Sequence, residues 1–244
     1  MFSYLLKLLR KIKNELKEIF YRFRHACRVF KIRLPLLAIK SHINLPDKFL
    51  FEEKIAAPRG RKAPDGKYYS SSYEMGWEDI PPEIKNKIQE FDSVIRLYFG
   101  GDYLVFNATV WRNAGIPDNF RNLDIYSQVW HYDHVVDYKN LQLFVLMTDT
   151  TEKHGPLEYV ENASETLVNE TVEARSGAEL PGAKVKKFTG SRGDALLFAT
   201  GSTPHRAGIP AFGCQRDMFS IAFFPNYTGL GTSSKMLLNP DYIV

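Results

Sequence analysis

The tripeptide His131-Tyr132-Asp133 constrains the fold of this 244-residue chain more than any other stretch. Alternate residues of a β-strand share a face, so a strand over 125–133 would project the His131 imidazole and the Asp133 carboxylate side by side. Two such donors are two-thirds of a 2-His-1-carboxylate triad, which holds non-haem Fe(II) and leaves coordination positions open. The third ligand must then be a histidine from a distant strand, and His205 is the best candidate.

The chain from Tyr103 onward is typical of a β-rich fold. Its runs of β-branched, aromatic and aliphatic residues are separated by Gly, Pro and Asn turns. We predict strands over 103–111, 125–133, 141–147, 157–160, 195–200 and 217–224. These strands do not alternate with helices, which favours a mainly β double-stranded β-helix: a cupin-like jelly roll of two facing sheets with a ligand at the open end.

Two segments outside the predicted strands are expected to be irregular, and one to be helical. The pattern predicts a loop over 41–78 and a lid or surface insertion over 161–183. Between them, Pro81 and Pro82 suit a first helical turn, and Gly100 suits a helix end. The apolar positions Ile84, Ile88, Phe91, Ile95 and Tyr98 give that flanking helix its buried face.

The N-terminus predicts a long basic amphipathic helix over 2–33. Apolar residues recur there at alternating steps of four and three, and Pro35 ends the pattern. Residues 1–40 carry a charge of +9, whereas the chain as a whole carries +4. We therefore divide the chain into a helical extension, 1–40, and a jelly-roll domain, 41–244. The helix has three open roles: packing on the domain, peripheral contact with an anionic membrane, or self-association.

An ordered set of short motifs resembles the phytanoyl-CoA dioxygenase family. After His-x-Asp come Gly-Pro-Leu at 155–157, Gly-Asp-Ala-Leu-Leu-Phe at 193–198, His-Arg-Ala-Gly at 205–208, and then Arg216. The resemblance covers roughly residues 80–225. The chain departs from the family at 161–164, where a Pro-Gly-Ser-His segment is often found.

The resemblance implies an enzyme, a 2-oxoglutarate-dependent dioxygenase that uses Fe(II), 2-oxoglutarate and O2. His131, Asp133 and His205 would be the metal-binding and catalytic residues. Arg216 would bind the distal carboxylate of 2-oxoglutarate, unless it instead forms an ion pair with Asp217. Gln128 and Asn107, on neighbouring predicted strands, could donate further hydrogen bonds to the cosubstrate.

The expected reaction is hydroxylation of a C–H bond in a small-molecule or lipid-linked substrate. Two alternatives remain open: a cupin-like metalloenzyme that does not use 2-oxoglutarate, and a non-catalytic jelly-roll binding module. Nucleic acid is an unexpected partner, because the body of the chain is acidic. Two cysteines and the lack of a secretory signal predict a cytoplasmic protein, with peripheral membrane contact left open.

Overall fold

A computed structural model describes residues 38–47, 49, 51, 56–123, 125–133, 141–161 and 183–225. The predicted helix over 2–33 and residues 162–182 of the predicted insertion lie outside these ranges. The described strands are β1 Ala38–His42, β2 Ala57–Arg59, β3 Ser70–Met75, β4 Tyr103–Ala114, β5 Leu141–Leu146, β6 Leu157–Glu161, β7 Lys184–Phe188, β8 Asp194–Phe198, β9 His205–Ala207 and β10 Gln215–Pro225. The described helices are α1 Pro82–Glu90 and α2 Asp92–Phe99, with short 3-10 turns at Asp118–Phe120 and Glu152–His154.

The strands form two antiparallel sheets, which confirms the prediction of a mainly β, jelly-roll-like fold. The larger sheet has the order β1-β8-β5-β10-β4-β3-β2, and the smaller has the order β7-β6-β9. Strand β5 is buried on both faces: Leu143 and Val145 share a cluster with the helices, whereas Phe144 and Leu146 share one with β6 and β7. The larger sheet is therefore the middle layer, which explains why β5 is apolar at nearly every position.

The single helix predicted to begin near Asp79 is two helices in the structure. They meet at Phe91, and α2 ends at Gly100, whose φ of +75° is the left-handed conformation that glycine adopts freely. All five apolar residues of the predicted buried face are buried. No helix in the described ranges has the length and apolar character needed to cross a membrane.

The prediction that 41–78 is irregular was wrong, because β2 and β3 form there. Strand β3 has the sequence Ser-Ser-Ser-Tyr-Glu-Met, which lacks β-branched residues, and it is held by backbone pairing with β4 from Ser70↔Asn113 to Met75↔Ala108. Strand β1 also begins inside the predicted extension and pairs with β8 from Ala38↔Phe198 to His42↔Asp194. The sheet thus includes residues 38–40, which the predicted boundary at residue 40 had excluded.

Candidate metal centre and its cavity

Three side chains from two distant parts of the sequence converge at one point. His131, Asp133 and His205 each offer a donor atom, and these atoms all lie within 4.8 Å of one another. Nε2 of His131 lies 3.6 Å from Oδ1 of Asp133, and Nε2 of His205 lies 3.6 Å from Oδ2 of the same carboxylate. The carboxylate therefore lies between two imidazoles, as a three-donor metal site requires.

A backbone bridge places the two histidines beside each other. The amide of His131 donates to the carbonyl of His205 at 3.0 Å, and the amide of His205 donates back at 3.1 Å. The amide of Asp133 donates to the carbonyl of Thr200 at 3.1 Å, which fixes the carboxylate on the same side. Long-range pairing thus holds the cluster together.

The predicted strand over 125–133 was wrong, although the two donors share a side as expected. Only His131 forms a bridge in this segment, and Ser127 has a positive φ of 63°. The carboxamide of Gln128 explains why this segment does not form a strand, because its Oε1 accepts from the amides of Ile125 at 2.9 Å and Tyr126 at 2.7 Å. These amides bond to a side chain and are lost to any sheet ladder.

In His131 and His205, the hydrogen bond at Nδ1 favours the tautomer whose Nε2 lone pair can bind a metal. Nδ1 of His131 lies 2.8 Å from the carbonyl oxygen of Val129, and Nδ1 of His205 lies 3.0 Å from that of Thr203. A carbonyl only accepts, so each Nδ1 carries the proton and donates it. Each Nε2 then presents its lone pair toward the carboxylate, which is the form of histidine that binds a metal.

Asp133 is held in its ionised form. Burial acts to raise its pKa, but the hydrogen bond and charge that His205 supplies when protonated, the charge of protonated His131, and a hydrogen bond from Thr200 outweigh burial and lower it. Nε2 of Gln142, on β5, also donates to Oδ2 at 2.7 Å. Sequence reasoning missed Gln142; it is one of the few polar residues in an otherwise apolar strand, and that exception was the available signal.

Arg216 lines the same cavity as His131, Asp133 and His205. The side chain is fully buried, with 1% of the residue exposed, and Nη1 donates to the carbonyl of Gly155. Its Nε has no hydrogen-bond partner, and no carboxylate of the described ranges forms an ion pair with it. Burial lowers the pKa of Arg216 to about 10, against smaller opposing effects of Tyr126 and Glu158, so the guanidinium is charged at neutral pH.

The alternative pairing of Arg216 with Asp217 is wrong. Asp217 accepts two hydrogen bonds from Arg112 of β4, at 2.6 Å from Nε and 2.7 Å from Nη2. Successive residues of β10 point to opposite faces, so Asp217 faces away from the cavity that Arg216 lines. The pair Arg112–Asp217 therefore leaves Arg216 with its charge unmatched.

The structure does not place Gln128 or Asn107 as the sequence suggested. Both hydrogen-bonding ends of the Gln128 carboxamide are used by its own loop, since Nε2 donates to the carbonyl of Leu123. Asn107 is exposed, has a φ of +43°, and lies beside the bulge where β4 and β10 shift register. Neither residue lines the cavity.

The cavity has a volume of about 320 Å³ and contains polar groups that sequence reasoning missed. Asn113 lies opposite Arg216 in the β4–β10 register, and its Oδ1 accepts from Ser70 Oγ at 2.7 Å. Trp111 lies two residues earlier on the same face of β4. In the sequence, Trp111, Arg112 and Asn113 alternate between the two faces of β4. Only the register of β4 with β10 shows that Trp111 and Asn113 are the two that face the cavity.

These donors fit a divalent cation with an organic anion beside it. Two neutral imidazole nitrogens and one ionised carboxylate are the donor set that non-haem iron takes. A buried guanidinium without a carboxylate partner is costly unless an anion reaches it. The described residues therefore offer three donors that could hold a metal and a buried guanidinium that could bind an anion, in one cavity.

Comparisons with known proteins identify the fold. No family model and no curated protein matches the chain. Among solved structures, the non-heme α-ketoglutarate-dependent carbocyclase SnoK from nogalamycin biosynthesis is similar, with 12% identity over 79% of this chain and 81% of SnoK and a TM-score of 0.52. The epimerase SnoN from the same biosynthesis is 13% identical over 82% of each chain with a TM-score of 0.52, and was also solved with Fe3+, α-ketoglutarate and nogalamycin RO. The chain therefore shares the fold of these two enzymes.

Proposed function

We propose that this protein is an Fe(II)- and 2-oxoglutarate-dependent oxygenase that hydroxylates a C–H bond of a small-molecule or lipid-linked substrate. One observation carries the proposal: the His131, Asp133 and His205 donors and the unmatched guanidinium of Arg216 line a single cavity. A cupin-like metalloenzyme that does not use 2-oxoglutarate would not need the buried guanidinium of Arg216. A non-catalytic binding module would need neither the three metal donors nor that guanidinium.

His131, Asp133 and His205 would hold the iron through two Nε2 atoms and one carboxylate oxygen. With 2-oxoglutarate and O2, the metal would supply the oxidising power for attack on an unactivated C–H bond. Gln142 keeps the Asp133 carboxylate oriented, and the carbonyls of Val129 and Thr203 accept from Nδ1 of the two imidazoles, so that each Nε2 faces the carboxylate. The chain thus fixes the orientation of all three donors before a metal arrives.

Arg216 would bind the distal carboxylate of 2-oxoglutarate. A guanidinium offers two parallel N–H donors to a carboxylate and keeps its charge at neutral pH. Its burial excludes water from that contact, which strengthens the attraction. Asn113 and Ser70 lie across the strand pairing from Arg216 and supply neutral hydrogen-bonding groups in the same part of the cavity.

The similar structures support the cosubstrate but leave the outcome of the reaction open. SnoK and SnoN are described as α-ketoglutarate-dependent, yet one is a carbocyclase and the other an epimerase. Asp133 supplies a carboxylate as the third donor, whereas the related halogenases have a small residue at that position. The carboxylate therefore favours hydroxylation or desaturation over halogenation, and hydroxylation, with an alcohol as the product, is the outcome proposed here.

The test is conversion of 2-oxoglutarate to succinate under O2 with Fe(II), in the absence of any added substrate. We expect the wild-type protein to release succinate slowly, and Asp133→Ala to release none above background. His42→Ala is a matched control, because His42 pairs with Asp194 at 2.8 Å away from the cavity. Succinate release by Asp133→Ala at the wild-type rate would refute the proposal. Metal binding without any succinate release would favour a cupin-like metalloenzyme.

A further inference from the structure

We infer that the primary substrate carries an anionic group, a carboxylate or a phosphate monoester, which Arg59 and Arg61 bind at the rim of the cavity. This inference rests on the proposed function, because it assigns a role to the cations that iron and 2-oxoglutarate leave unmatched. Both arginines line the cavity that contains His131, Asp133 and His205.

The backbone between the two arginines is fixed against the wall of the cavity. Gly60 has a φ of +79°, and a Cβ at this position would lie 2.2 Å from the carbonyl oxygen of Ile125. The amide of Arg61 donates to that same carbonyl at 2.8 Å. The turn therefore lies directly on the loop that leads to His131, and only glycine allows so close an approach.

Arg59 is positioned by an aromatic ring. Its guanidinium carbon lies 4.5 Å from the centre of the Trp111 ring, and Trp111 itself packs against Phe144 with ring centres 6.0 Å apart. A guanidinium stacked on an aromatic face keeps the N–H groups at its edge available for a planar anion. Arg59 as a whole is exposed, whereas burial of its guanidinium lowers the pKa of Arg59 and the nearby charge of Asp133 partly offsets this, so the guanidinium is within electrostatic reach of that carboxylate.

The charges of the cavity do not balance without a second anion. Fe(II) and doubly charged 2-oxoglutarate cancel each other, and the single charge of Asp133 offsets one of the three arginines that line the cavity, Arg59, Arg61 and Arg216. Two positive charges therefore remain. In the ranges that the structure describes, Arg96, Arg112 and Arg206 each form an ion pair with a carboxylate, whereas Arg59 and Arg61 form none. A cleft with one sign of charge attracts ligands of the opposite sign.

Part of the cavity lining is apolar. Trp111, Phe144, Leu157 and Met218 line the cavity beside these cations. A substrate that satisfies both surfaces has an anionic end and a hydrocarbon portion, as an acyl carboxylate or an alkyl phosphate has. Octanoate and octyl phosphate are therefore suitable probes, with octanamide and octanol as neutral partners of the same length.

The experiment measures probe binding by isothermal titration calorimetry, with and without 2-oxoglutarate and Mn²⁺ as a redox-inert metal. We expect octanoate or octyl phosphate to bind at least tenfold more tightly than its neutral partner, because charge-assisted hydrogen bonds are lost in the neutral compound. Which of the two anions binds more tightly distinguishes a carboxylate from a phosphate substrate. The double variant Arg59→Gln and Arg61→Gln should weaken the anionic probe about tenfold or more. The control is Arg96→Gln, since Arg96 lies on α2 and pairs with Asp92 and Asp102; this variant should bind the anionic probe as the wild type does.

Several results would overturn the inference. Equal binding of the neutral partners, unchanged binding by the double variant, or no binding of either anion would each do so. A loss of 2-oxoglutarate affinity in the double variant as large as the loss of probe affinity would also overturn it, since these arginines would then serve the cosubstrate. That last result would leave the proposed function intact. Selective binding of an anionic probe by a protein that binds no 2-oxoglutarate would instead leave the anion site intact and refute the proposed function.

Discussion

Replacing Arg216 with methionine should weaken cosubstrate binding and make the ligand-free protein more stable. Arg216 is buried, its charge is unmatched within the described residues, and Nη1 donates to the carbonyl of Gly155. Methionine fills a similar volume without the charge. The two opposite effects of one substitution distinguish a ligand-binding arginine from a structural one.

The magnitude follows from the pKa. Burial lowers the pKa of Arg216 from 12.5 to about 10, which corresponds to about 3 kcal/mol against the charged form in the folded state. A lowered pKa of a base opposes folding at every pH below about 10, and this penalty fades only as the pH rises toward 12.5. The Gly155 carbonyl would lose a hydrogen bond worth about 1 kcal/mol. The net gain of about 2 kcal/mol should raise the Tm by about 4 to 8 °C.

The loss of cosubstrate affinity should be large. Removing one partner of a buried, hydrogen-bonded charge pair costs about 2 to 5 kcal/mol, so the Kd for 2-oxoglutarate should rise at least about thirtyfold. Thermal unfolding of the ligand-free protein and calorimetric titration with 2-oxoglutarate measure the two effects.

Arg112→Met is the matched control, because Arg112 is a partly buried arginine on β4, next to β10, that has a carboxylate partner. Its removal leaves the Asp217 carboxylate, whose side chain is 4% exposed, without its partner. We expect a loss of about 3 to 5 kcal/mol in stability. A fall in Tm of several degrees for Arg216→Met, similar to that of Arg112→Met, would refute the assignment of Arg216 as a ligand-binding residue.

Three further predictions address the metal site, the rim and the core. Gln142→Met should weaken metal binding about 10- to 100-fold in an anaerobic competition titration, because Asp133 loses its 2.7 Å donor; an unchanged Kd would show that Gln142 does not orient the carboxylate. Gly60→Ala should lower the free energy of unfolding, measured in urea, by more than about 1 kcal/mol, because the new Cβ would meet the Ile125 carbonyl. Gly101→Ala is the control, because a Cβ there has open space around it, and its free energy of unfolding should be within about 0.5 kcal/mol of wild type. Similar values for both variants would contradict the close packing of Gly60 at the cavity rim. Burial raises the pKa of Tyr98 to about 12, so the unfolded chain ionises this tyrosine at a lower pH than the folded protein does, and stability falls as the pH rises from 10 toward 12. Tyr98→Phe should remove up to about 3 kcal/mol of that loss. Parallel plots of unfolding free energy against alkaline pH for the wild type and Tyr98→Phe would contradict this prediction.

The strands that carry their own apolar pattern were predictable, and those held by their neighbours were not. Leu141–Leu146 and Gln215–Pro225 read as strands because burial on both faces makes them nearly continuous in apolar residues. Ser70–Met75 is a strand only because it pairs with β4, and no local preference of its residues indicates that. Long-range pairing is invisible in a single sequence.

The same distinction applies to the site. The spacing of His131 and Asp133, together with the resemblance, pointed to these two residues and His205, and the structure brings the three side chains together. The strand that was expected to align them does not form, because the Gln128 carboxamide binds the amides of Ile125 and Tyr126. Gln128 and Asn107 were chosen from predicted strand neighbours, whereas the residues that line the cavity, such as Asn113 and Gln142, depend on the register of β4, β5 and β10.

The most direct test of the central claim is an anaerobic titration of the protein with Fe(II) and 2-oxoglutarate, followed by visible absorption. The account predicts a weak charge-transfer band that requires both additions and is absent from His205→Ala and from Arg216→Met at the same concentrations. His42→Ala should show the wild-type band. A flat spectrum from the wild-type protein at saturating concentrations, or an undiminished band from His205→Ala, would contradict the claim that these three side chains hold a metal in front of Arg216.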